Sequence, residues 1–154
     1  MAHILTKNFG DLEYDAGKVI HFPAGLPGYP DDRNFVLLDM EDTGDTFFWL
    51  QSVDDGEVCF PLMNVYRAIP GYDPQVAPED LMELGEAGAD GMAVYNITVI
   101  PDNISETRVN LRAPVFINID TRRAKQVVCQ NEEYAVRHYI MDELRAVMRG
   151  AAAC

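Results

Sequence analysis

The sequence predicts a mainly β fold: a small, barrel-like sheet of antiparallel or mixed strands, accompanied by one or two short helices. Two observations predict it. Short apolar or alternating runs recur along most of the 154 residues, as is typical of strands. Gly, Pro and Asp separate these runs, and these residues are common in the turns that connect strands. Helical periodicity is limited to two short segments, so the helices should be secondary to the sheet.

The first half of the chain is expected to contain six strands. Every residue in the segment 35–38 is apolar, and Val19, Ile20 and Phe22 do not alternate strictly with polar residues, so some strands should be covered on both faces. Asp55 and Gly56 separate two apolar runs, and Asp-Gly is accepted by a two-residue type I′ turn, so a tight hairpin is expected there. The predicted strands lie at residues 4–6, 11–14, 18–21, 35–38, 46–53 and 58–63.

A short helix is predicted at residues 78–85. Pro78 suits the first helical position, Glu79 and Asp80 interact favourably with the helix dipole in the first turn, and Gly85 marks the end. Four further strands are expected where apolar runs return. They lie at residues 93–99, 115–119, 126–129 and 134–138.

A second helix is predicted at residues 142–149. Acidic residues begin this segment, arginines end it, and Leu144, Val147 and Met148 recur at helical spacing. A chain of 154 residues is the size of one domain. We therefore expect a single β domain over residues 1–140, followed by a C-terminal helix and tail over residues 141–154.

The chain is strongly acidic, with 25 Asp and Glu residues against 12 Lys and Arg residues and a net charge of −13. Residues 1–100 hold 18 acidic and 4 basic side chains, whereas residues 101–154 hold 7 and 8. Phosphate binding depends on clustered Lys and Arg, so this balance argues against direct binding to nucleic acid or to an acidic membrane surface. Basic protein partners are favoured instead.

No residue pattern predicts a metal, a cofactor or a disulfide. Cys59, Cys129 and Cys154 are widely spaced and form no metal-binding or paired-cysteine motif. The segment 39–45 is rich in acids but lacks the spacing of a calcium loop. The chain also contains neither an 18-residue apolar run nor a secretory leader pattern. We therefore expect a cytoplasmic protein without a metal or cofactor.

A catalytic site is not expected either. His3, His21 and His138 lie in no recognisable nucleophile or metal motif. We expect His21 to be a packed or hydrogen-bonded structural residue and Cys59 to be a buried apolar one. One alternative stays open: a small β-barrel hydrolase or ligand-binding protein that uses a carboxylate cluster with His21 or His138.

Residues 22–30 form a turn-rich segment that contains three prolines and two glycines. Proline fixes φ and glycine frees it, so this segment should be an ordered loop. Two interpretations stay open: a strand connection packed under Leu26 and Tyr29, or a rigid recognition loop.

Several stretches of the chain together resemble a known family. They include Phe9-Gly10, GLPGYPDDRNFVLL at residues 25–38, and Phe60-Pro61-Leu62; the most specific are WLQSVDD at residues 49–55 and NLRAPVFIN at residues 110–118. From about residue 9 to residue 138, the sequence resembles the FliW family of flagellar assembly factors.

This resemblance implies a small, mostly β, cytoplasmic protein that is not an enzyme. It implies two partners, flagellin and the RNA-binding translational regulator CsrA, and binding of CsrA would relieve its repression of flagellin mRNA translation. The quoted motifs are mostly apolar or turn-forming. We therefore expect Trp49 to lie in the core, and Asn110 and Asn118 to bond to backbone groups in turns.

Charge density selects the candidate partner-binding surface. Residues 39–57 contain seven acidic side chains and no Lys or Arg. CsrA-type regulators carry basic RNA-binding faces, which these acids should attract while they repel RNA phosphates. Two other interpretations stay open: acids that serve only solubility, and an acidic nucleic-acid mimic that blocks another basic protein. The candidate residues are Asp39, Glu41, Asp42 and Asp45 in one loop, and Asp54, Asp55 and Glu57 in the next turn.

Overall fold

Eleven strands and two α-helices form the regular structure of residues 1–86 and 91–153, the part of the chain that the computed structural model describes. The strands are β1 (Ala2–Thr6), β2 (Gly10–Tyr14), β3 (Ile20–His21), β4 (Asn34–Asp39), β5 (Phe47–Ser52), β6 (Cys59–Met63), β7 (Met92–Val99), β8 (Arg108–Val109), β9 (Val115–Asn118), β10 (Arg123–Gln126) and β11 (His138–Tyr139). The helices are α1 (Pro78–Leu81) and α2 (Met141–Ala153). The prediction of a mainly β fold with two short helices is confirmed.

Seven of the strands close into a ring. Hydrogen-bonded neighbours follow the order β7, β6, β5, β4, β3, β10 and β9, and β9 pairs again with β7. All of these pairings are antiparallel except that of β10 with β3, in which Arg123 lies opposite His21. The expected barrel-like mixed sheet is therefore confirmed.

Apolar side chains fill the interior of the ring. Phe48 and Leu50 of β5 pack there with Phe35 of β4 and Leu62 of β6. Phe22 lies edge-on to Phe35, with 5.2 Å between the ring centroids. Burying one such side chain fully stabilises a fold by roughly 1.5–3 kcal/mol, so this cluster holds the strands of the barrel together.

A second apolar cluster covers the outer face of β5, β6 and β7. Phe47 and Met63 lie in this cluster with Ile140 and Leu144, whereas their strand neighbours Phe48 and Leu62 belong to the interior. Coverage on both faces was expected for the segments 18–22 and 35–38. In β4 the adjacent residues Phe35 and Val36 are both buried, and the second cluster adds β5, β6 and β7, for which it was not expected. Because Leu144 lies in α2, this helix packs on the barrel; the division into residues 1–140 and 141–154 stays a prediction.

The strands β1 and β2 form a separate hairpin on the outside of the barrel. Lys7 N donates a hydrogen bond to Gly56 O at 3.1 Å, and the Phe9 ring meets Trp49 edge-on with 5.9 Å between centroids. Gly56 is required here because a Cβ atom would lie 1.9 Å from Leu5 O. The expectation that Trp49 lies in the core is wrong: it is half-buried beneath the hairpin, since it alternates with the inward-facing residues of β5.

The strand predicted at residues 126–129 lies earlier in the chain, as β10. Pairing of Ala124 with Ile117 sets the register of β10 on β9. Beyond β10, Val127 N donates to Pro114 O at 3.0 Å, which lies outside β9. The apolar run of the sequence therefore marks the segment that follows the strand, in which Val127 and Cys129 are buried and Val128 is exposed.

The shortest strands were the least predictable. Of the strand expected at residues 18–21, only Ile20 and His21 form a strand, β3. The residues before it include a 3₁₀ turn at Ala16–Lys18. Of the strand expected at residues 134–138, only His138 belongs to a strand, β11. The two-residue strand β8 was not expected, since two residues carry no periodicity.

The tight hairpin expected at Asp55 and Gly56 is wrong. β5 ends at Ser52 and β6 begins at Cys59, and Gly56 does not adopt the positive φ that a type I′ turn requires. Ser52 Oγ accepts hydrogen bonds from Asp54 N at 3.1 Å and Asp55 N at 3.0 Å. These bonds fold residues 53–58 into a longer connection.

Both helix predictions are confirmed. α1 continues as a 3₁₀ turn, Met82–Leu84, and Gly85 ends it with a φ of 86°. α2 extends beyond the expected residue 149 to Ala153, because alanine has the highest helix propensity. None of the helices in the described part of the chain has the length and apolar character needed to cross a membrane.

The two asparagines of the segment NLRAPVFIN, Asn110 and Asn118, bond to backbone groups, as expected. Asn118 Nδ2 donates to Leu84 O at 3.1 Å, and its Oδ1 accepts from Asp120 N at 2.9 Å. Asn110 Oδ1 accepts from Ala113 N at 2.9 Å. Asn118 thereby joins the end of β9 to the helical segment after α1.

Candidate functional site

An acidic loop, residues 39–46, joins the end of β4 to β5. Thr43 Oγ1 donates a hydrogen bond to Met40 O at 2.7 Å, and Thr46 N donates to Thr43 O at 3.1 Å. Asp42 and Gly44 adopt left-handed φ angles of 63° and 60°, a conformation that Asp and Gly tolerate better than most residues. The loop is therefore an ordered turn that holds its carboxylates in place.

All four acidic side chains of the acidic loop are exposed. Asp45 is paired with Arg67, whose Nε lies 3.1 Å from Asp45 Oδ1. Within residues 1–86 and 91–153, Asp39, Glu41 and Asp42 have no basic group within 4.0 Å. Three carboxylates of this loop thus remain available to a basic partner.

The field of the acidic loop reaches one residue inside the barrel wall. Burial raises the pKa of the Tyr95 phenol, and the nearby carboxylates of Asp39 and Asp45 raise it further. Tyr95 packs against Phe48 with 5.2 Å between ring centroids. The carboxylates of Asp39 and Asp45 therefore act on a partly buried group of the barrel wall.

Asp54, in the second acidic cluster, has a structural role. Its carboxylate accepts hydrogen bonds from Arg33 N and Asn34 N, both at 2.9 Å, and from the Asn34 side chain at 3.2 Å. Burial alone would raise the pKa of Asp54, but these hydrogen bonds and nearby His21 outweigh it and lower the pKa. The side chain therefore joins the β5–β6 connection to the start of β4.

The two acidic clusters lie at opposite ends of β5. The acidic loop precedes Phe47, whereas residues 53–58 follow Ser52. β5 has six residues, so these ends are about 16–20 Å apart at roughly 3.3 Å per residue. The seven acids do not form one surface, because consecutive turns of an antiparallel meander alternate between the two ends of the sheet. Asp55 and Glu57 are exposed and form a separate patch.

In the described part of the chain, the histidines and cysteines have separate surroundings. His21 Nδ1 lies 2.9 Å from Asn34 Oδ1, so this histidine is hydrogen-bonded as expected, and His138 contacts Glu143 at the start of α2. Cys59 is half-buried, and burial raises the pKa of its thiol. Among the residues that the structure describes, no three His, Cys, Asp or Glu side chains lie close enough together to hold a metal ion.

The loop at residues 22–30 is anchored in the barrel. Leu26 is buried and bridges to Tyr29, and the Tyr29 ring lies edge-on to Phe60 at 5.1 Å. Gly25 has a φ of 66°, and a Cβ atom there would lie 2.9 Å from backbone atoms of Pro30. These contacts favour the interpretation of this loop as a packed strand connection.

Comparison with known proteins identifies the family. A family model described as FliW protein matches residues 3–140 of the chain. This chain belongs to the FliW family. The match includes the barrel, most of the outer hairpin and the acidic loop, so the resemblance seen in the sequence is confirmed.

FliW proteins named as flagellar assembly factors are similar over nearly the whole chain. The relative from Alkaliphilus metalliredigens (strain QYMF) is 34% identical over 140 residues, covering 91% of this chain and 86% of the relative. The relative from Caldicellulosiruptor saccharolyticus is 33% identical over 143 residues, covering 93% of each chain. A crystal structure of the flagellar assembly factor FliW matches with a TM-score of 0.82 at 32% identity, over 90% of this chain and 96% of that chain. The named relatives and the fold therefore agree.

A groove of about 600 Å³ lies between α2 and the acidic loop. The FliW family match ends at residue 140, so the wall of the groove that α2 provides lies beyond it. The groove was not predicted from the sequence, because its walls come from three segments that are separated in the chain. Its sequence signal was the helical spacing of Leu144, Val147 and Met148. The lining residues include Asp42, Thr46, Tyr66, Pro70, Val147 and Met148, with the largely buried Phe47 and Leu144.

Proposed function

We propose that this FliW-family protein is a cytoplasmic flagellar assembly factor that binds flagellin and a CsrA-type basic RNA-binding regulator. By binding the regulator, it antagonises CsrA repression of flagellin mRNA translation. The relatives named as flagellar assembly factors support the role in assembly, and the family resemblance supports both partners. The protein acts by binding rather than by catalysis.

The acidic loop is the observation that best supports binding of the regulator. Asp39, Glu41 and Asp42 are exposed on an ordered turn. Little conformational entropy of this loop is therefore lost when a partner binds. A basic RNA-binding face is complementary to these carboxylates, and long-range attraction accelerates association. The same charges repel RNA phosphates, which favours exchange of RNA for this protein.

The second acidic cluster has a smaller part in this proposal. Asp54 uses its carboxylate within the fold, so Asp55 and Glu57 are the candidates of this cluster for partner contact. A regulator bound at the acidic loop would have to extend along the whole of β5 to reach them. We therefore place the primary contact at Asp39, Glu41, Asp42 and Asp45.

Flagellin binding is proposed to rest on apolar contact or strand addition rather than on charge. Within the described residues, the β1–β2 hairpin forms a sheet of two strands only. Backbone groups at such an edge can pair with an added strand, and Leu5 of β1 is exposed. The hairpin is therefore a candidate surface for a flagellin segment.

An RNA-displacement experiment tests the proposed function. The CsrA-type regulator is bound to labelled flagellin mRNA, and fluorescence anisotropy follows the RNA as purified protein is added. We expect the protein to displace the RNA from the regulator, and an excess of flagellin to restore the complex of regulator and RNA. An unrelated protein of similar size and net charge should have no effect. RNA that stays bound at every concentration of the protein would overturn the proposal.

A further inference from the structure

The groove between α2 and the acidic loop is lined largely by apolar side chains. Its volume of about 600 Å³ is within the range of sites that hold several side chains or a small ligand. Phe47 and Leu144, which line it, also belong to the second apolar cluster of the fold. The groove thus continues that cluster outward to the surface.

The helix α2 exposes apolar side chains to this groove. Leu144 is packed in the second cluster, but Val147 and Met148, one turn further along, are 40% and 63% exposed. All three residues line the groove, as their spacing of three and four positions requires. The apolar stripe of α2 is therefore longer than the part that the barrel covers.

The opposite wall of the groove is acidic. Asp42 of the acidic loop lines it directly, and Asp39 and Glu41 lie in the same loop. Arg67 also lines the groove, but it is paired with Asp45. A segment that enters the groove therefore meets apolar side chains on one side and net negative charge on the other.

We propose that this groove binds a basic amphipathic segment of the CsrA-type regulator, an inference that rests on the proposed function. One or two apolar side chains of the segment pack against Val147, Met148 and Phe47. Lysine or arginine side chains beside them pair with Asp39, Glu41 and Asp42. The apolar contact sets the lifetime of the complex, whereas the acidic loop sets the rate of association.

One wall of the groove lies outside the residues that the FliW family model matches. Residues 141–153 follow the end of that match at residue 140, and they supply one complete wall. The binding proposed here therefore combines the acidic loop of the FliW domain with a C-terminal helix outside the match.

The test replaces the two exposed apolar residues of α2 with polar residues of similar length. The variant carries Val147→Gln and Met148→Gln, and Ala146→Gln is the matched control because Ala146 is exposed on α2 and does not line the groove. Glutamine adds no charge and is a good helix former. Calorimetry and stopped-flow mixing with the purified regulator measure affinity, association and dissociation, and circular dichroism checks the fold.

We expect the double variant to bind the regulator about 10-fold to 100-fold more weakly, the range for loss of buried anchor residues. The loss should appear as faster dissociation, with an unchanged dependence of affinity on salt, and Ala146→Gln should bind like the wild type. Thr46→Phe fills the groove from the opposite wall and should weaken binding similarly, so the test does not depend on α2 alone.

The outcomes separate this inference from the proposed function. If the wild type binds the regulator and both groove variants bind equally well, the groove assignment is overturned while the proposed function stands. If the variants lose only flagellin binding, or if they change the mass of the free protein in sedimentation, the occupant is flagellin or a second copy and the inference is wrong. If the wild type binds neither partner, the proposed function itself fails.

Discussion

Asp54 joins two loops with a single side chain. Both Arg33 N and Asn34 N donate to it at 2.9 Å, and its own backbone N donates to Ser52 Oγ at 3.1 Å. These bonds fix the start of β4 against the end of β5. Without the carboxylate, the N–H groups of Arg33 and Asn34 would lose their acceptor. This loss would lower the stability of the fold.

Replacement of this carboxylate should destabilise the protein in a pH-dependent way. We expect Asp54→Ala to lower the free energy of unfolding by about 1 kcal/mol at pH 7. Because the folded pKa of Asp54 lies below its ordinary value of 3.8, the stabilisation is complete above that value and is lost as the pH falls through the folded pKa. Urea unfolding of wild type and variant at pH 7 and pH 3 measures the difference.

The neighbouring Asp31 offers the control for this measurement. It is exposed, and no hydrogen bond to its side chain is present within the described residues. Asp31→Ala should therefore change stability by less than about 0.5 kcal/mol at either pH. An Asp54→Ala effect that is equally large at pH 3 and pH 7 would contradict the role of the ionised carboxylate.

Gly56 allows the outer hairpin to pack on the barrel. We expect Gly56→Ala to lower the free energy of unfolding by about 1–3 kcal/mol, since its Cβ would overlap Leu5 O and backbone must shift. Trp49 is the only tryptophan, and its fluorescence should shift to the red as the hairpin loosens. Gly71→Ala is the control, because a Cβ there meets nothing within 4 Å. Equal unfolding curves and spectra for both variants would show that the hairpin is not held at Gly56.

At the scale of elements, burial decided which strands the sequence could predict. β4 to β7 carry side chains that fill the barrel or the outer cluster, so apolar patterning marked them. β8 and β11 have two residues each, too few to show a periodicity. β11 pairs with β8 through residues that are distant in the chain, His138 with Val109, and local patterning does not encode such a pairing. The connection after β5 differed because the Ser52 side chain competes with a tight turn.

The candidate site was predictable only in part for the same reason. Charge density located the acidic loop, because exposed acids are a local property of the sequence. It did not show that residues 53–58 lie at the other end of β5 or that Asp54 is held within the fold. The groove required the folded positions of α2 and residues 65–70, which no local pattern supplies.

Neutralising the acidic loop should weaken binding of the regulator without destabilising the fold. The variant carries Asp39→Asn, Glu41→Gln, Asp42→Asn and Asp45→Asn, all exposed positions. We expect slower association with the regulator, because steering depends on these charges. Stability should change by no more than about 0.5 kcal/mol per site. Stopped-flow mixing and urea unfolding measure the two effects.

A matched variant separates a local contact from a general effect of charge. Glu79→Gln, Asp102→Asn, Glu132→Gln and Glu133→Gln remove the same net charge from positions outside the acidic loop. An equal loss of association in both variants would assign the effect to the overall field. If the loop variant folds and binds as the wild type does, its acids serve solubility, and the loop at residues 22–30 becomes the next candidate surface.

On the scale of the whole molecule, the net charge of −13 should make the affinity for the regulator depend more strongly on salt than the affinity for flagellin. Regulator binding should weaken and its association slow as salt rises, since charges beyond a Debye length of about 8 Å are screened at physiological ionic strength. Flagellin binding should respond less, because apolar contact or strand addition does not depend on charge. Affinity titrations from low to high salt measure both slopes. A flagellin slope as steep as that of the regulator would mean that the forces are wrongly assigned.

The parallel pairing of β3 with β10 determines when the protein can complete its fold during synthesis. His21 and Arg123 meet there, about 100 positions apart in the chain. The β4–β5–β6 meander can form from neighbouring residues, but non-local pairing is slow and costs loop-closure entropy. Until β9 and β10 have left the ribosome, Phe35 and Leu50 therefore line an open wall. Nascent chains that stall before residue 123 would present this wall to chaperones and proteases.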